Sequence, residues 1–296
     1  MILRPARRSD VAAISALLTA AFADRPGALR YEPTVVGFFL AELAGAMAVV
    51  AEHEGAVIGA ALAGARQARL HDAALAAVHV GPVAVARAAR RRGVARAMLA
   101  EVEARARAAG AALLTLTTQE ADDARHLYAA QGYATLERIH PRVCPVPPVG
   151  PAPRRRAGPW RAEGFALDGR PHAVVEWGPL PRRIPATLAP RAVLEGPASA
   201  LTLRWPVVGA RSAHAVQVLA VDVPDGRWAG LADAVRAQAR ADGALAVWVM
   251  PGVADPLPGF SAEGVPASLR MVKPLDHLGR WAADRARAWD AWGPAP

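Results

Sequence analysis

Val83-Ala84-Val85-Ala86-Arg87-Ala88-Ala89-Arg90-Arg91-Arg92-Gly93-Val94-Ala95-Arg96 decides how the rest of the chain is read. An apolar run ends at Val85, three consecutive arginines follow, and Gly93 opens a helix expected over 94–109. Val94, Met98, Leu99, Val102 and Ala106 recur along one side of that helix. Glu101 with Arg105 and Glu103 with Arg107 form i,i+4 pairs on the other side, and Gly110 ends it. The front of a helix exposes unpaired N–H groups and about half a positive charge, which together attract an anion. A diphosphate docks there only if the backbone comes close, which suits Gly93 and Ala95, and arginines add charge-assisted hydrogen bonds. Taken alone, Arg90-x-x-Gly93-x-Ala95 also reads as a solvated basic loop before a helix.

Upstream, Ile2 to Arg4 suggests a short strand, and Ser9 or Asp10 can cap a helix through Val11, Ile14, Leu17, Leu18 and Phe22. A second helix is expected from Pro33 to Ala46. Met47 to Glu52 and Val57 to Ala63 read as strands joined by a turn at Glu54 and Gly55, and Ala76 to Val85 as a third strand. Downstream, Leu113 to Thr117 is a strand, Asp122 to Ala130 a helix closed by Gly132, and Tyr133 to Ile139 a strand. The order is mixed α/β.

In this order of elements the first half resembles the GNAT superfamily of N-acetyltransferases, from Ile2 to Val143. The resemblance rests on Val83-Ala84-Val85 before Arg90-x-x-Gly93-x-Ala95, and on Ala124-x-x-Leu127-Tyr128-x-x-x-Gly132-Tyr133 after it. It implies acetyl-CoA as cofactor, held by the backbone at Val83, Ala84 and Val85 along the pantetheine arm. The segment Arg90, Arg91, Arg92, Gly93, Val94, Ala95 and Arg96 would hold the diphosphate. It also implies that Tyr128 stands near the thioester sulfur and can protonate the leaving thiolate; a tyrosine packed on the sheet is the plainer alternative. The asparagine often found seven residues before that tyrosine is Ala121 here, with Asp122 or Asp123 as substitutes. In several family members a glutamate eleven residues before the loop is the base; here that position, 90 − 11 = 79, is His79. Histidine can take a proton near neutral pH, and a half-buried structural histidine is the other reading. Glu52, His53 and Glu120 are reserve candidates.

With 296 residues, two domains are expected. The break falls at Cys144 to Pro159, where six prolines surround Arg154, Arg155 and Arg156, a composition that argues for a stiff linker rather than a helix or central strand. The division is then residues 1–145, a 146–159 linker, and residues 160–296. In the second half Gly243 − Gly226 = 17 matches Gly110 − Gly93 = 17. The helices Met98 to Ala109 and Leu231 to Asp242 then align, as do the strands Leu113 to Thr117 and Ala246 to Val249. Gly264-Val265-Pro266 falls opposite Gly132-Tyr133-Ala134, and Phe260 opposite Tyr128. The expectation is a duplicated GNAT-like fold, each half a mixed sheet flanked by helices. The second copy is degenerate because Trp228 stands where Ala95 does and Val223, Pro224 and Asp225 where the arginines do. Chance alignment of alanine-rich helices is the alternative. Leu278 to Trp292 reads as a tryptophan-bearing tail helix.

A formal charge of +9 raises nucleic acid as a partner, but all but one of the 35 basic residues are arginine, Lys273 being the exception. With abundant Ala, Gly and Pro, that reads as GC-rich codon usage, and no basic stripe alternates with stacking aromatics. No run approaches the ~20 apolar residues of a membrane helix, and nothing after Arg4, Arg7 and Arg8 resembles a signal peptide. One cysteine, Cys144, allows no intrachain disulfide, which suits the cytoplasm. The eight histidines lack ligand spacing, so no metal is expected. The function expected is transfer of an acetyl group from acetyl-CoA to a primary amine of a small molecule. Phe22 to Tyr31, Phe38 and Phe39 would line the acceptor side, and a homodimer is the assembly considered. The competing reading is a non-catalytic acyl-CoA-binding regulatory or interaction module.

Overall fold

The computed structural model describes residues 1–24, 30–44, 47–70, 73–146, 158–159, 175–177, 191–195, 198–206, 214–223, 226, 228–249, 257–261, 265 and 267–292. Its strands are β1 (Ile2–Pro5), β2 (Val49–His53), β3 (Ala56–Leu70), β4 (Ala73–Val85), β5 (Leu113–Gln119), β6 (Ala134–Ile139) and β7 (Arg142–Pro145). They continue as β8 (Gly158–Pro159), β9 (Val175–Trp177), β10 (Arg191–Glu195), β11 (Ala198–Pro206), β12 (His214–Asp222), β13 (Ala244–Val249) and β14 (Ser268–Pro274). The helices are α1 (Val11–Phe22), α2 (Pro33–Phe38), α3 (Val94–Ala108), α4 (Ala124–Ala130), α5 (Trp228–Ala241) and α6 (His277–Trp292). Beyond α2 the chain runs on as a wider π-helical turn, Phe39–Ala44; residues 45–46 of the expected second helix lie outside the described residues.

The first sheet runs β1-β2-β3-β4-β5-β14-β6, with β9 on the far end of β3. α3 covers one face, burying Met98, Leu99, Val102 and Ala106 against Val49, Ala61, Val78, Val80, Leu114 and Leu116. Each large side chain buried there contributes about 1.5–3 kcal/mol. α1 and α2 cover the other face over Val50, Ala60, Leu62 and Ala84. α6 covers a separate part of that face over Ala77, Leu113, Leu136 and Val272.

Two strands sit in the sheet of the other half. β14, from near the end of the chain, lies between β5 and β6, while β7 leaves β6 and joins β13 in the second sheet, β7-β13-β12-β11-β10-β8. The segment Cys144 to Pro159, expected to be a linker, therefore begins inside β7, an end strand of the second sheet. Cys144 pairs with Val247 on one side of β7, and Val143 bridges Ser261 on the other. Pro145 is tolerated because it closes the strand, opposite Ala246, and Val146 then donates its N–H to the Leu245 carbonyl at 2.9 Å.

The six strands of the second sheet follow the order of six in the first, with, among the described residues, only the isolated bridge at Ser261 in the place of β6. β4 pairs parallel with β5 and β12 with β13, while β14 and β7 occupy matching antiparallel positions. The helix offset of 133 holds in burial: Met98, Leu99, Val102 and Ala106 match Leu231, Ala232, Val235 and Ala239. Gly264 and Pro266 lie outside the described residues, and the strand register gives another match. Val143 bridges Ser261 as Val272 pairs with Ala134, so Gly259-Phe260 corresponds to Gly132-Tyr133. Phe260 thus matches the buried Tyr133 rather than Tyr128.

α6 is anchored to the first sheet. Asp276 caps it by accepting the Gly279 N–H at 2.7 Å, and Leu275 donates its N–H to the Ala112 carbonyl at 2.8 Å. A Cβ on Gly279 would stand 2.1 Å from the Ala112 carbonyl oxygen, and backbone cannot give way cheaply. Gly279→Ala is expected to destabilise the protein by about 1–3 kcal/mol, read as a lowered Tm; an unchanged Tm would show that this approach is not a close one. A second anchor joins β14 to α3: Lys273 Nζ donates to Glu103 Oε2, and Arg107 donates to the Leu275 carbonyl oxygen. Burial pushes the Glu103 carboxyl up, but the hydrogen bonds from Lys273 and Arg107 outweigh it and hold the group below its ordinary value.

Candidate active site

The site is built around a fault in the strand pairing. β4 and β5 run paired from Ala77↔Leu113 to Val80↔Leu116, and there the pairing stops although both strands continue. Against β3, Ala63 pairs with Val80 but Ala61 pairs with Val83, so Gly81 and Pro82 together oppose Leu62. This β-bulge bends the outer part of β4 away from β5 and opens a gap between them. Gly81 suits this close approach, since a Cβ there would make a tight 3.2 Å contact with the Leu62 carbonyl oxygen.

Ala86 donates its N–H to the Ile58 carbonyl at 2.8 Å. Antiparallel pairs alternate between bonded and non-bonded, so Ala84 exchanges hydrogen bonds with Ala60, while Val83 and Val85 turn their N–H and C=O groups into the gap. Consistent with this, the Val85 carbonyl accepts from Arg90 Nε at 3.2 Å. Ala84 stands apart from the set expected to meet the cofactor: its backbone faces β3 and its side chain is buried under α1 and α2.

The loop then turns into α3 through two left-handed residues, Arg91 (φ 62°) and Gly93 (φ 78°). Gly93 is the N-cap and supplies no side chain, and the first intrahelical bond is Ala97 N–H to the Gly93 carbonyl at 2.9 Å. The N–H groups of Val94, Ala95 and Arg96 therefore have no acceptor within the helix. A Cβ at Gly93 would have nothing within 4 Å, so the space before the helix is open. Arg90, Arg91, Arg92 and Arg96 are exposed around it. Open space, outward amides and clustered guanidinium groups make a seat for a diphosphate.

Tyr128 lies on α4, buried on the α3 side of the sheet, its ring edge-on to Tyr133 with centroids 5.9 Å apart. The Tyr133 hydroxyl is buried with no hydrogen-bond partner among the described residues; burial, with Tyr128 and Glu103 nearby, pushes it up. His79 is half-buried on β4, its Nδ1 3.1 Å from the Oγ1 of the fully buried Thr115. It lies on the face opposite α3, two residues before the bulge. Tyr128 and His79 thus lie on opposite faces of the sheet.

The reserve candidates are engaged elsewhere. Glu52 accepts from Arg4 at 2.7 Å, Glu120 pairs with Arg138, and His53 is exposed beside Glu54. Arg4 also donates to Asp10 Oδ2 at 2.7 Å, and that bond chiefly holds the Asp10 carboxyl below the usual carboxylate range. Ala121 sits exposed where the chain turns from β5 to α4. Of the expected acceptor wall, Phe22 packs near Tyr31 and Phe38 near Phe39 under α1 and α2, and residues 25–29 lie outside the described residues. Among the described residues no histidine, cysteine, aspartate and glutamate group could hold a metal, and no helix is long and apolar enough to cross a membrane.

Residues 13–133 match the Acetyltransferase (GNAT) family. They are a GNAT acetyltransferase domain. The chain is also similar to three solved structures. One is Chaetomium thermophilum Naa20 in complex with a bisubstrate analogue, 24% identical over 47% of this chain and 74% of that one, with a TM-score of 0.40. Another is the NatC complex bound to Gag peptide and CoA, 18% identical over 47% and 87%, with a TM-score of 0.40. The third is a GCN5-related N-acetyltransferase from Anabaena variabilis, 10% identical over 94% and 74%, with a TM-score of 0.58. That last likeness is one of fold, and it extends through the second half. No curated protein matches the chain.

The second sheet carries a bulge at the matching place: β12 has an extra residue, Leu219, just after Val218, and its pairing with β13 ends at Val218↔Val249, where β13 itself ends. At the front of α5, however, the Trp228 N–H is already bonded to the Gly226 carbonyl at 2.8 Å, and the Trp228 side chain packs against the local core. Pro224 and Asp225 lie outside the described residues. Sequence reading missed the roles of Gly81, Pro82 and Thr115; the signal available was Gly-Pro inside an apolar strand, which marks a bulge.

Proposed function

We propose that this chain is an acetyl-CoA-dependent N-acetyltransferase acting on a primary amine of a small molecule. The observation that carries this is the gap between β4 and β5, with the outward backbone of Val83 and Val85 along one wall and the unpaired amides of α3 at its mouth. Both the narrow cleft and the anion seat fit coenzyme A: an extended amide-bearing arm suits the strand edge, and a diphosphate suits the helix front. Bound acetyl-CoA supplies the acetyl group as a reactive thioester.

The chain's own groups would do the rest. Val83 and Val85 hydrogen-bond the arm, and Val94, Ala95 and Arg96 N–H groups with the arginines hold the diphosphate. His79, its Nδ1 within hydrogen-bond distance of the Thr115 hydroxyl, takes the acceptor's ammonium proton at Nε2, leaving a neutral amine able to attack. The Tyr128 hydroxyl gives its proton to the departing sulfur. The second half is a degenerate copy that completes the first sheet, and we place the protein in the cytoplasm on its single cysteine.

The test is release of free thiol from acetyl-CoA in the presence of amines. Tyr128→Phe is expected to slow turnover on the order of 100-fold while leaving acetyl-CoA affinity almost intact, and His79→Ala to lower kcat on the order of 100-fold with the same affinity. Equal activity in Tyr128→Phe removes Tyr128 from the mechanism, and an unaltered kcat in His79→Ala returns His79 to the structural residues. Tight cofactor binding with no thiol release for any amine would favour a non-catalytic acyl-CoA-binding module.

A further inference from the structure

His79 stands in a row of four residues that runs across the first sheet. It pairs with Gly64 of β3 on one side and with Thr115 of β5 on the other, and Thr115 pairs in turn with Val272 of β14. All four lie on the face away from α3, the face that α6 covers at Ala77, Leu113 and Val272. Gly64 and Val272 bring no polar side chain to the row, and Thr115 Oγ1 meets His79 Nδ1 at 3.1 Å.

Thr115 is fully buried, in a run that is otherwise Leu113, Leu114 and Leu116. A buried hydroxyl is unfavourable unless it is hydrogen-bonded, and valine would give the strand the same shape without that demand. The second sheet shows that the fold itself does not ask for the pair. Pairing of β12 with β13 ends at Val218↔Val249 as that of β4 with β5 ends at Val80↔Leu116, so the counterparts of His79 and Thr115 are Gln217 and Trp248. Imidazole and hydroxyl therefore meet in the half that has the anion seat and not at the matching place of the other.

The hydrogen bond made at one ring nitrogen of a histidine decides which nitrogen carries the proton of the neutral ring, and with it which one is basic. We infer that Thr115 is a positioning residue: its hydroxyl accepts Nδ1–H, holds the imidazole in one orientation and leaves Nε2 as the nitrogen that receives the acceptor's proton. That proton leaves the ammonium nitrogen for Nε2, the ring becomes an imidazolium with both nitrogens protonated, and Nδ1–H stays on Thr115 throughout. This rests on the base role given to His79 above and deepens it by adding the residue that fixes which nitrogen works.

The test reads the ring and the rate separately, both in the full chain. Two-bond 1H–15N correlation of 15N-histidine-labelled protein, with the rings neutral, identifies the protonated nitrogen of each of the eight histidines, and comparison with His79→Ala assigns the His79 signal. The wild-type ring is expected to be protonated on Nδ1. Thr115→Val should move that proton to Nε2 in at least part of the molecules and lower kcat on the order of tenfold, with the amine KM and the coenzyme A Kd unchanged. Thr115→Ser, which keeps the hydroxyl, should retain the Nδ1–H ring and most of kcat. A wild-type ring protonated on Nε2, a Thr115→Val ring that stays protonated on Nδ1, or an equal kcat in Thr115→Val where His79→Ala is slowed overturns this inference alone. Should Thr115→Val lose coenzyme A binding, the wild-type ring and Thr115→Ser decide it, and a serine variant that binds coenzyme A with its ring protonated on Nε2 overturns it too. An unaltered kcat in His79→Ala overturns the base role of His79 and this inference with it.

Discussion

Gly93→Glu is expected to abolish coenzyme A binding. Gly93 sits at φ 78°, where a side chain costs about 1–3 kcal/mol of backbone strain. Within the protein its Cβ would meet nothing, so the variant should fold; the new side chain projects instead into the open space before α3. There it adds volume and a negative charge where a diphosphate would sit, reversing a helix-end attraction of about 0.3–1 kcal/mol and competing for the Arg90–Arg92 guanidinium groups. The strain is common to free and bound protein and lowers stability only; the added volume, the reversed attraction and the diverted guanidinium groups together come to roughly 3 kcal/mol or more, a loss of at least about 100-fold in Kd that leaves no calorimetric heat. Gly93→Ala carries only the strain and should bind measurably. Unchanged affinity in Gly93→Glu would refute the assignment of this loop.

A fragment ending after β7, residues 1–146, is expected not to fold, although it contains the whole of the matched GNAT region. β14 pairs with seven residues of β5 and five of β6, and without it those two strands have no neighbour between them. Met271, Val272 and Leu275 would no longer be buried against the first sheet, a loss of at least ~5 kcal/mol, comparable with a whole domain's margin of roughly 5–15 kcal/mol. The Lys273–Glu103 pair and the Arg107 hydrogen bond to Leu275 would go too. Circular dichroism should show lost structure and calorimetry no coenzyme A heat. A folded fragment that binds coenzyme A would show that the exchanged strand is dispensable.

The strand exchange also marks the limit of what could be read from residues. α3 was legible because its apolar spacing, its ion pairs and Gly110 all point to one helix, which the structure ends at Ala108. The tail helix and the turn at Glu54 and Gly55 were legible for the same reason. β3 and β4 came out short: Arg66, Gln67 and Arg69 break the apolar run, yet the hairpin continues through them to Leu70 and resumes at Ala73. β14 and β7 could not be assigned to their sheets from pattern at all. An apolar strand buries equally well in either sheet, and alternation carries no record of which neighbour it meets. The mismatch of Phe260 has a similar origin: helical offsets hold across α3 and α5, but the segments after β5 and β13 differ in length, so only strand register aligns them.

Thr115 shows the same point for the site: nothing in the run of β5 singles it out, and only the β4–β5 register brings it to His79. The loop from Arg90 to Arg96, by contrast, is local, and local chemistry is what one sequence displays most directly.

The measurement that bears most directly on the account is an amide 1H–15N titration of the full-length protein with coenzyme A. The prediction is that the N–H resonances of Val94, Ala95 and Arg96 move downfield together as diphosphate oxygens accept from them, while that of Trp228, already bonded to Gly226, stays in place. Shifts at the front of α5 with none at the front of α3 would contradict it.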